Sequence, residues 1–256
     1  MLNDPASSDP GRTPAFEAAL RSRKAEALNA LASGIVHDLN NLLTAIIGNA
    51  TLARMAVEPD DRMAGYLRGI DQAAQRTAAR IGQLQAFTGK GVFRFTQVDL
   101  DQLVRDAVRQ APPLPPQVDL VCEPARDTPR VIGDSALLAQ VIAQLLLNAQ
   151  EAFPDGRKGR ITVSTGPGLA EGGEAAEWIV PMAPGPCAFL EVADEGTGMT
   201  PEVLARAFDP FFTTKFMDRG LGLPAVMGIL RKHGGGLRVE TEPGKGTRMK
   251  VFLPPA

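Results

Sequence analysis

Apolar residues in the first quarter of the chain recur at steps of three and four. Leu28, Leu31, Ile35, Leu39, Leu42, Ile46 and, more weakly, Ala53 share one stripe, the spacing of a helix that buries a single seam. This predicts a long helix from Ala15 to about Val57. Glu58-Pro59-Asp60-Asp61 breaks it, because Pro cannot continue a helix and Asp favours caps. A second helix is expected from about Asp61 to Phe87. Its seam is Met63, Leu67, Ile70, Ala74, Thr77, Ile81, Leu84 and Thr88, a sustained heptad pattern. Two long amphipathic helices joined by a short turn make an antiparallel hairpin. Two helices cannot enclose a core by themselves, but two copies of the hairpin can form a four-helix bundle, so a homodimer is expected.

At about 100° per residue His37 lies about 200° from both Ile35 and Leu39, so it points away from the seam. Asn41 and Thr44, one and two turns on, share that outward face, and Asp38 stands beside the imidazole. Alone, this describes a surface histidine.

After Thr88-Gly89-Lys90-Gly91, which reads as a linker, the periodicity changes to mixed helix and strand. Strands are expected at Phe95 to Leu100, Val118 to Cys122, Arg130 to Ile132, Arg160 to Thr165 and Phe189 to Ala193. Helices are expected at Asp101 to Gln110, at the strongly apolar Ser135 to Phe153 with Ser135 as its cap, and at Leu221 to His233, which stops at a glycine run. Leu237 to Glu242 and Thr247 to Leu253 form a closing hairpin around EPGKG. Gly166 to Pro186, holding the single Trp178, reads as a hairpin excursion of low functional content. The second part is therefore an α+β layer with helices on one face of a mixed sheet. The expected domains are a disordered tail at 1–13, the helical hairpin at 14–89 and the α+β domain at 90–256.

Composition narrows the partners. The chain has 256 residues, a hydrophobic fraction of 44% and a net charge of −2, which does not point to nucleic acid or an anionic membrane. Its two cysteines, Cys122 and Cys187, form no spaced framework and fit a reducing cytoplasm. No run approaches the about 18 apolar residues of a membrane span, and the opening residues do not read as a secretory leader.

Four short pieces of the second part carry candidate chemistry. Asn148 on the apolar helix has a carboxamide oxygen of the hard type Mg²⁺ prefers, and would equally serve as an internally satisfied amide. Asp194-Glu195-Gly196-Thr197-Gly198-Met199 follows a strand. Its carboxylate could accept from an adenine amino group, while its glycines let backbone approach a flat base. Phe208 to Lys215, FDPFFTTK, ends in the hydroxyls of Thr213 and Thr214 and the ammonium of Lys215. Gly220-Leu221-Gly222-Leu223 opens a helix whose amides and dipole can hold phosphates.

In this order and spacing, and together with GIVHDLNNLLTAIIGNA, the set closely resembles the two-component sensor histidine kinases over about residues 20 to 253. The resemblance implies a dimeric four-helix bundle for phosphotransfer, followed by an ATP-binding sandwich of the Bergerat, or GHKL, type. It implies that His37 is the phosphoacceptor, that Asp38 orients and helps deprotonate it, and that Asn41 serves phosphatase activity. It gives Asn148 to the magnesium ion, Asp194 to adenine with Gly196 and Gly198 in its loop, and Phe208 to Arg219 to a mobile lid that includes Thr214 and Lys215. Gly220, Leu221 and Gly222 would lie under the phosphates, and Thr247 would support the Asp194 contact. Gln144, one turn before Asn148, stands where the family often has Asn, and keeps an amide oxygen for the metal on a longer arm. Met217-Asp218-Arg219 departs from the usual small or polar approach to the glycines, and Pro224 follows them.

The function implied is autophosphorylation of His37 from ATP and Mg²⁺ and transfer to an aspartate of a response regulator, with dephosphorylation of that regulator through Asn41. For this, the nucleotide domain must swing about the linker near Gly89 and Gly91 so that His37 faces it. The competing reading is a histidine phosphotransfer or scaffold module with little use of ATP, which degenerate nucleotide boxes would favour. Another ATPase of the same fold would need a catalytic Glu at Gln144, and a serine kinase would lack the hairpin. Without a visible sensor or anchor, the expectation is either a cytoplasmic kinase controlled by a separate sensor protein or the core of a longer one.

Overall fold

The computed structural model describes residue 39 and residues 42–57, 62–88, 93–125, 127–154, 156–171, 178–214 and 220–256. The tail at 1–13, His37, Asp38, Asn41, the turn at 58–61, the linker glycines, Lys215 and Met217-Asp218-Arg219 lie outside the described residues. The chain divides into two units, Met1–Ile81 and Gly82–Ala256.

In the first unit, helix α1 is described over 42–55 and α2 runs Arg62–Thr88. On α1 the buried positions sit about one residue on from the expected seam. Leu43 and Ala50 are buried while Leu42 and Ile46 are exposed. On α2 the expected Leu67, Ala74 and Ile81 are buried, and Ala64 and Asp71 replace Met63 and Ile70. The heptad pattern of α2 is only partly consumed inside one hairpin, since Met63, Ile70 and Thr77 are exposed. Asp71 interrupts the apolar seam and pairs with Arg54 of α1 at 2.7 Å.

The second unit begins with β1 (Thr96–Val98) and α3 (Leu100–Gln110), followed by β2 (Val118–Pro124), β3 (Val131–Gly133) and α4 (Ser135–Gln150). Then come β4 (Gly159–Ala170), β5 (Gly185–Asp194), α5 (Pro201–Leu204), α6 (Gly222–Lys232), β6 (Gly236–Glu242) and β7 (Gly246–Leu253). Five strands form one mixed sheet in the order β2-β4-β5-β7-β6; β2 and β4 are parallel and the other pairs antiparallel. β1 and β3 pair separately.

Helices α3, α4 and α6 cover one face. Ile142 and Leu145 of α4, Val226 and Ile229 of α6 and Val104 of α3 meet Ile161, Val163, Val192 and Val251 of the sheet in one buried core. Burying such side chains contributes roughly 1.5–3 kcal/mol each. The other face is partly covered by the excursion. β4 and β5 continue as one long hairpin, and the returning chain lays Trp178 on Phe252, with ring centroids 5.1 Å apart. Arg238 stacks over Trp178 at 4.2 Å. Val180 bridges to Leu237 on β6 and so covers part of that edge.

Two local features differ from the sequence reading. The cap of α4 is Asp134, whose carboxylate accepts from the amides of Ala136 and Leu137, and Ser135 is the first helical residue. A carboxylate also complements the positive end of a helix better than a hydroxyl does. Helix α5 was unpredicted; Thr200 caps it and Pro201 opens it.

Asp134 also accepts from the amide of Arg94 on the incoming chain, at 2.9 Å. Desolvation pushes its pKa up, but the amides of Arg94, Leu137 and Ala136 hold it below the ordinary carboxylate value. Its contribution is therefore whole above the unfolded value of about 3.9 and is lost as pH falls through the lower folded value. Asp134→Ala should cost about 0.5–2 kcal/mol at neutral pH. Denaturant titrations of both proteins should show the gap closing in acid.

Candidate functional site

The three neighbouring strands β5, β7 and β6 end in a row of polar side chains on the helix-covered face. Asp194 pairs with Thr247, and Thr247 pairs with Thr241. Directly opposed residues on antiparallel strands project to the same side. The Thr241 hydroxyl donates to the Gly246 carbonyl at 3.1 Å and accepts from the Met199 amide at 2.9 Å. It lies 3.0 Å from the Thr247 hydroxyl. With its one proton on Gly246, Thr247 is the donor between them and keeps lone pairs for another partner. Thr247 is buried.

Asp194 begins the loop that the sequence singles out. One carboxylate oxygen accepts from the Gly196 amide at 2.8 Å. Gly196 lies against Ala152, just past the end of α4, and the Thr197 amide donates to the Ala152 carbonyl at 2.9 Å. Gly198 has φ +64, and a Cβ there would overlap the Glu242 carbonyl. Thr241 was not singled out from the sequence. The register of the closing hairpin around EPGKG, which pairs it with Thr247, could have found it.

A second group of residues lies where α4 meets the start of α6. Asn148 and Gln144 are one turn apart and share a face of α4. The side-chain nitrogen of Asn148 is buried with no hydrogen-bond partner. Such an orphan in a native fold calls for a ligand or an ordered water. By turning over, the amide can present either its oxygen or its nitrogen to that space. The amide oxygen of Gln144 rests against Gly222, so close that a Cβ on Gly222 would overlap it. The longer arm of Gln144 therefore spans from α4 to the first residue of α6. Leu221 stands at the N-cap with no side-chain hydrogen bond to the helix. The first amides of α6 are thus left for an anion.

The described residues on either side of 215–219 meet. The Phe211 amide donates to the Gly220 carbonyl at 2.8 Å, and a Cβ on Gly220 would overlap the Phe211 backbone. Phe211 has φ 66 and is exposed, a strained conformation for an aromatic residue. Phe212 lies under the Arg206 guanidinium at 4.3 Å. Thr214 is exposed, at the last described position before residue 220. Among the described residues, no cluster of three His, Cys, Asp or Glu could hold a metal ion. No described helix is long and apolar enough to cross a membrane.

The structure thus brings Asp194, Gly196, Gly198 and Thr247 together at the strand ends, and sets Gln144 of α4 against Gly222, with Asn148 one turn further along α4 and Gly220 and Leu221 just before α6. The first group suits a flat base with an exocyclic amine, and the second suits phosphates. The orphaned Asn148 amide and the uncapped α6 terminus fit a nucleotide and an oxygen-bound cation.

Comparison with known proteins accounts for both parts of the chain. Residues 27–88 match the His Kinase A (phospho-acceptor) domain. Residues 133–256 match the histidine kinase-, DNA gyrase B- and HSP90-like ATPase family. The chain is 35% identical to the sensor kinase CckA of Brucella abortus (strain 2308) over 237 residues, which is 91% of this chain and 25% of that protein. It spans between about a quarter and a half of the length of the curated relatives it matches. Among solved structures, full-length ShkA in complex with AMPPNP superposes with a TM-score of 0.63 at 19% identity, covering 89% of this chain and 46% of that one. Histidine kinase ThkA in complex with response regulator protein TrrA superposes with a TM-score of 0.52 at 21% identity, covering 92% of this chain and 64% of that one. These two likenesses concern the fold, a helical region followed by a GHKL-type mixed sheet. With a phospho-acceptor helical region and a nucleotide domain joined in the family order, the chain belongs to the two-component sensor histidine kinases.

Proposed function

We propose that this chain is an ATP-dependent protein histidine kinase that phosphorylates His37 and passes the phosphoryl group to an aspartate of a response regulator. The observation that carries the reading is the pairing of a base-reading row at the strand ends with an uncapped helix start beside an orphaned amide, behind a segment that matches phospho-acceptor domains. We take residues 14–89 as the phosphotransfer hairpin and residues 90–256 as the catalytic domain. Intact nucleotide boxes disfavour the alternative of a phosphotransfer module with little use of ATP.

In this reading Asp194 accepts from the adenine amino group and Thr247 supports that contact. The amides of Gly220, Leu221 and Gly222 receive the phosphates, and Thr214 and Lys215 close over them from the lid. Mg²⁺ would be held by Asn148, with Gln144 nearby and the nucleotide's own oxygens, and would offset charge on the phosphates. A neutral imidazole is a competent nucleophile near neutral pH. One ring nitrogen of His37 attacks the γ-phosphorus, and the bond to the bridging oxygen breaks with its electron pair leaving on ADP. Asp38 holds the other ring nitrogen and stabilises the cationic ring that forms. Asn41, one helical turn on, positions a water for dephosphorylation of the regulator. Catalysis of this kind is mostly positioning and electrostatics. We place the protein in the cytoplasm, where ATP and a regulator are at hand, and propose control by a separate sensor protein.

The exposed apolar residues of the hairpin argue for a second copy as its partner. Met63, Tyr66 and Ile70 on α2 and Leu42 and Ile46 on α1 are exposed, although they belong to helices with sustained apolar periodicity. A four-helix bundle of two hairpins would cover them.

Incubation with labelled ATP tests the kinase reading. Wild type should acquire an acid-labile, base-stable label, and His37→Gln should lose it while still binding ATP; persistent labelling of the variant refutes the assignment. In the same series Asn41→Ala should keep the label and forward transfer but lose dephosphorylation of the purified phospho-regulator. Asp194→Asn should weaken ATP binding by about 1.5–3 kcal/mol, the scale of a charged hydrogen bond, as read by calorimetry. Light scattering at micromolar concentration should give a dimer, shifted toward monomer by Met63→Glu with Ile70→Glu; a wild-type monomer contradicts the bundle.

A further inference from the structure

Arg157 lies outside all four sequence motifs, yet it touches two of the three walls around the strand-end site. Its Nε donates to the Glu195 carbonyl at 3.0 Å and its Nη2 donates to the Gly244 carbonyl at 2.8 Å. Glu195 is the residue after Asp194. Gly244 lies in the β6–β7 turn, just before Gly246 and Thr247. One planar guanidinium therefore clamps the loop that carries the carboxylate to the turn that carries the hydroxyl.

Arg157 is itself held in place. The Arg157 amide donates to the Pro154 carbonyl at 3.1 Å and Gly156 has φ +81, which closes a tight turn at the end of the α4 segment. That segment is the third wall, since Ala152 accepts from the Thr197 amide. Glu195 is secured on its other side by Arg160, whose amide donates to the Glu195 carboxylate at 3.0 Å and whose carbonyl accepts from the Glu195 amide at 3.1 Å. The Gly244 amide donates to the Thr197 carbonyl at 2.7 Å. The loop and the turn also meet directly, Gly244 on Thr197, Gly198 against Glu242 and Gly246 against the Asp194 carbonyl, and Arg157 adds a side-chain brace across them.

We propose that Arg157 is a positioning residue for the nucleotide base. It holds the loop that follows Asp194 against the turn that precedes Thr247, and so tunes affinity for adenine and preference over guanine at a row whose spacing the β5–β7 ladder sets. It does so without touching the nucleotide or the reacting phosphorus. The proposal rests on the nucleotide reading of this site. A role at the base end predicts a specific kinetic split. Affinity should fall while the rate at saturating ATP stays the same, because the phosphates are held by other elements.

The test uses the full chain with Arg157→Ala, Arg157→Lys and, as control, Lys158→Ala, which removes an exposed positive charge one residue away. KM and kcat for ATP and GTP are read from autophosphorylation, and ADP affinity from calorimetry. Arg157→Ala should raise KM for ATP and weaken ADP by about ten-fold, the lower end for hydrogen bonds to a charged group. Its kcat should be unchanged and its preference for ATP over GTP reduced. Arg157→Lys, which can reach only one carbonyl, should be intermediate, and Lys158→Ala should match wild type. If the alanine variant loses its thermal unfolding transition, the lysine variant carries the same reading. Unchanged KM and ADP affinity overturn the role. So does equal weakening of ATP and GTP, which is the mark of a purely structural residue. Wild type that binds no nucleotide overturns the kinase reading and this proposal with it, whereas wild type that binds ATP no better than Arg157→Ala overturns only the role of Arg157.

Discussion

The carbonyl oxygen of Asp194 occupies the space that a side chain on residue 246 would need, and most of the candidate site follows from that approach. Gly246 has φ +102, and any Cβ there would overlap that oxygen. Only glycine reaches this backbone shape at low cost while leaving room for the neighbouring chain. The approach lets β5, β7 and β6 end at the same level, so Asp194, Thr247 and Thr241 fall in one row. It also brings the Gly246 carbonyl within reach of the Thr241 hydroxyl and the Gly244 amide within reach of Thr197. Recognition by side chains is laid over a floor that backbone packing has already set. Preorganisation of this kind spares a ligand the cost of ordering the site.

The helices differ in how their two ends are satisfied. Asp134 caps the start of α4 and His233 caps the end of α6, and the Asp134 amide donates to Nε2 of His233 at 3.0 Å. The other ring nitrogen lies 2.8 Å from the Ile229 carbonyl, so Nδ1 is the donor there and Nε2 the acceptor. Phe95 packs on the same ring, with centroids 5.0 Å apart. The start of α4 and the end of α6 are thereby joined, which makes the two helices antiparallel. The end of α4 that carries Asn148 then lies near the start of α6. Satisfied groups and aromatic cover gather at one end. An orphaned amide and an uncapped helix terminus gather at the other.

What could be read from the sequence divides along a physical line. Periodicity locates elements whose burial is decided by one face, and the apolar α4 and the closing hairpin fall close to their expected bounds. The motifs locate Asp194, Asn148 and the α6 glycines for the same reason, since each sits at the end of an element that periodicity predicts. Periodicity does not choose between two adjacent stripes on a helix that is apolar over a wide arc. Leu43 and Ala50 are buried in place of Leu42 and Ile46 because the hairpin partner, not the composition of the stripe, selects the seam. Ser135 and Asp134 are both good caps, and a displacement of one residue at a helix start is decided by backbone geometry. Arg157 was illegible because its partners are main-chain carbonyls, which carry no residue signature.

The first unit illustrates a cost that the second avoids. A sheet with helices on one face buries its apolar surface within one chain, and its core residues reach near-zero exposure. A lone hairpin leaves Leu52, Met55, Tyr66 and Ile70 exposed. Within that hairpin, Asp71 is the one buried charge among the described seam residues, and Arg54 meets it. Such a pair adds little net stability, yet any slid register would bury Asp71 without its partner at a cost of several kcal/mol. The apolar stripe is tolerant of sliding by whole turns, whereas the ion pair is not. One charge at one position therefore fixes where each residue of α1 stands along α2, and the wider apolar surface remains free for the contacts that a bundle requires.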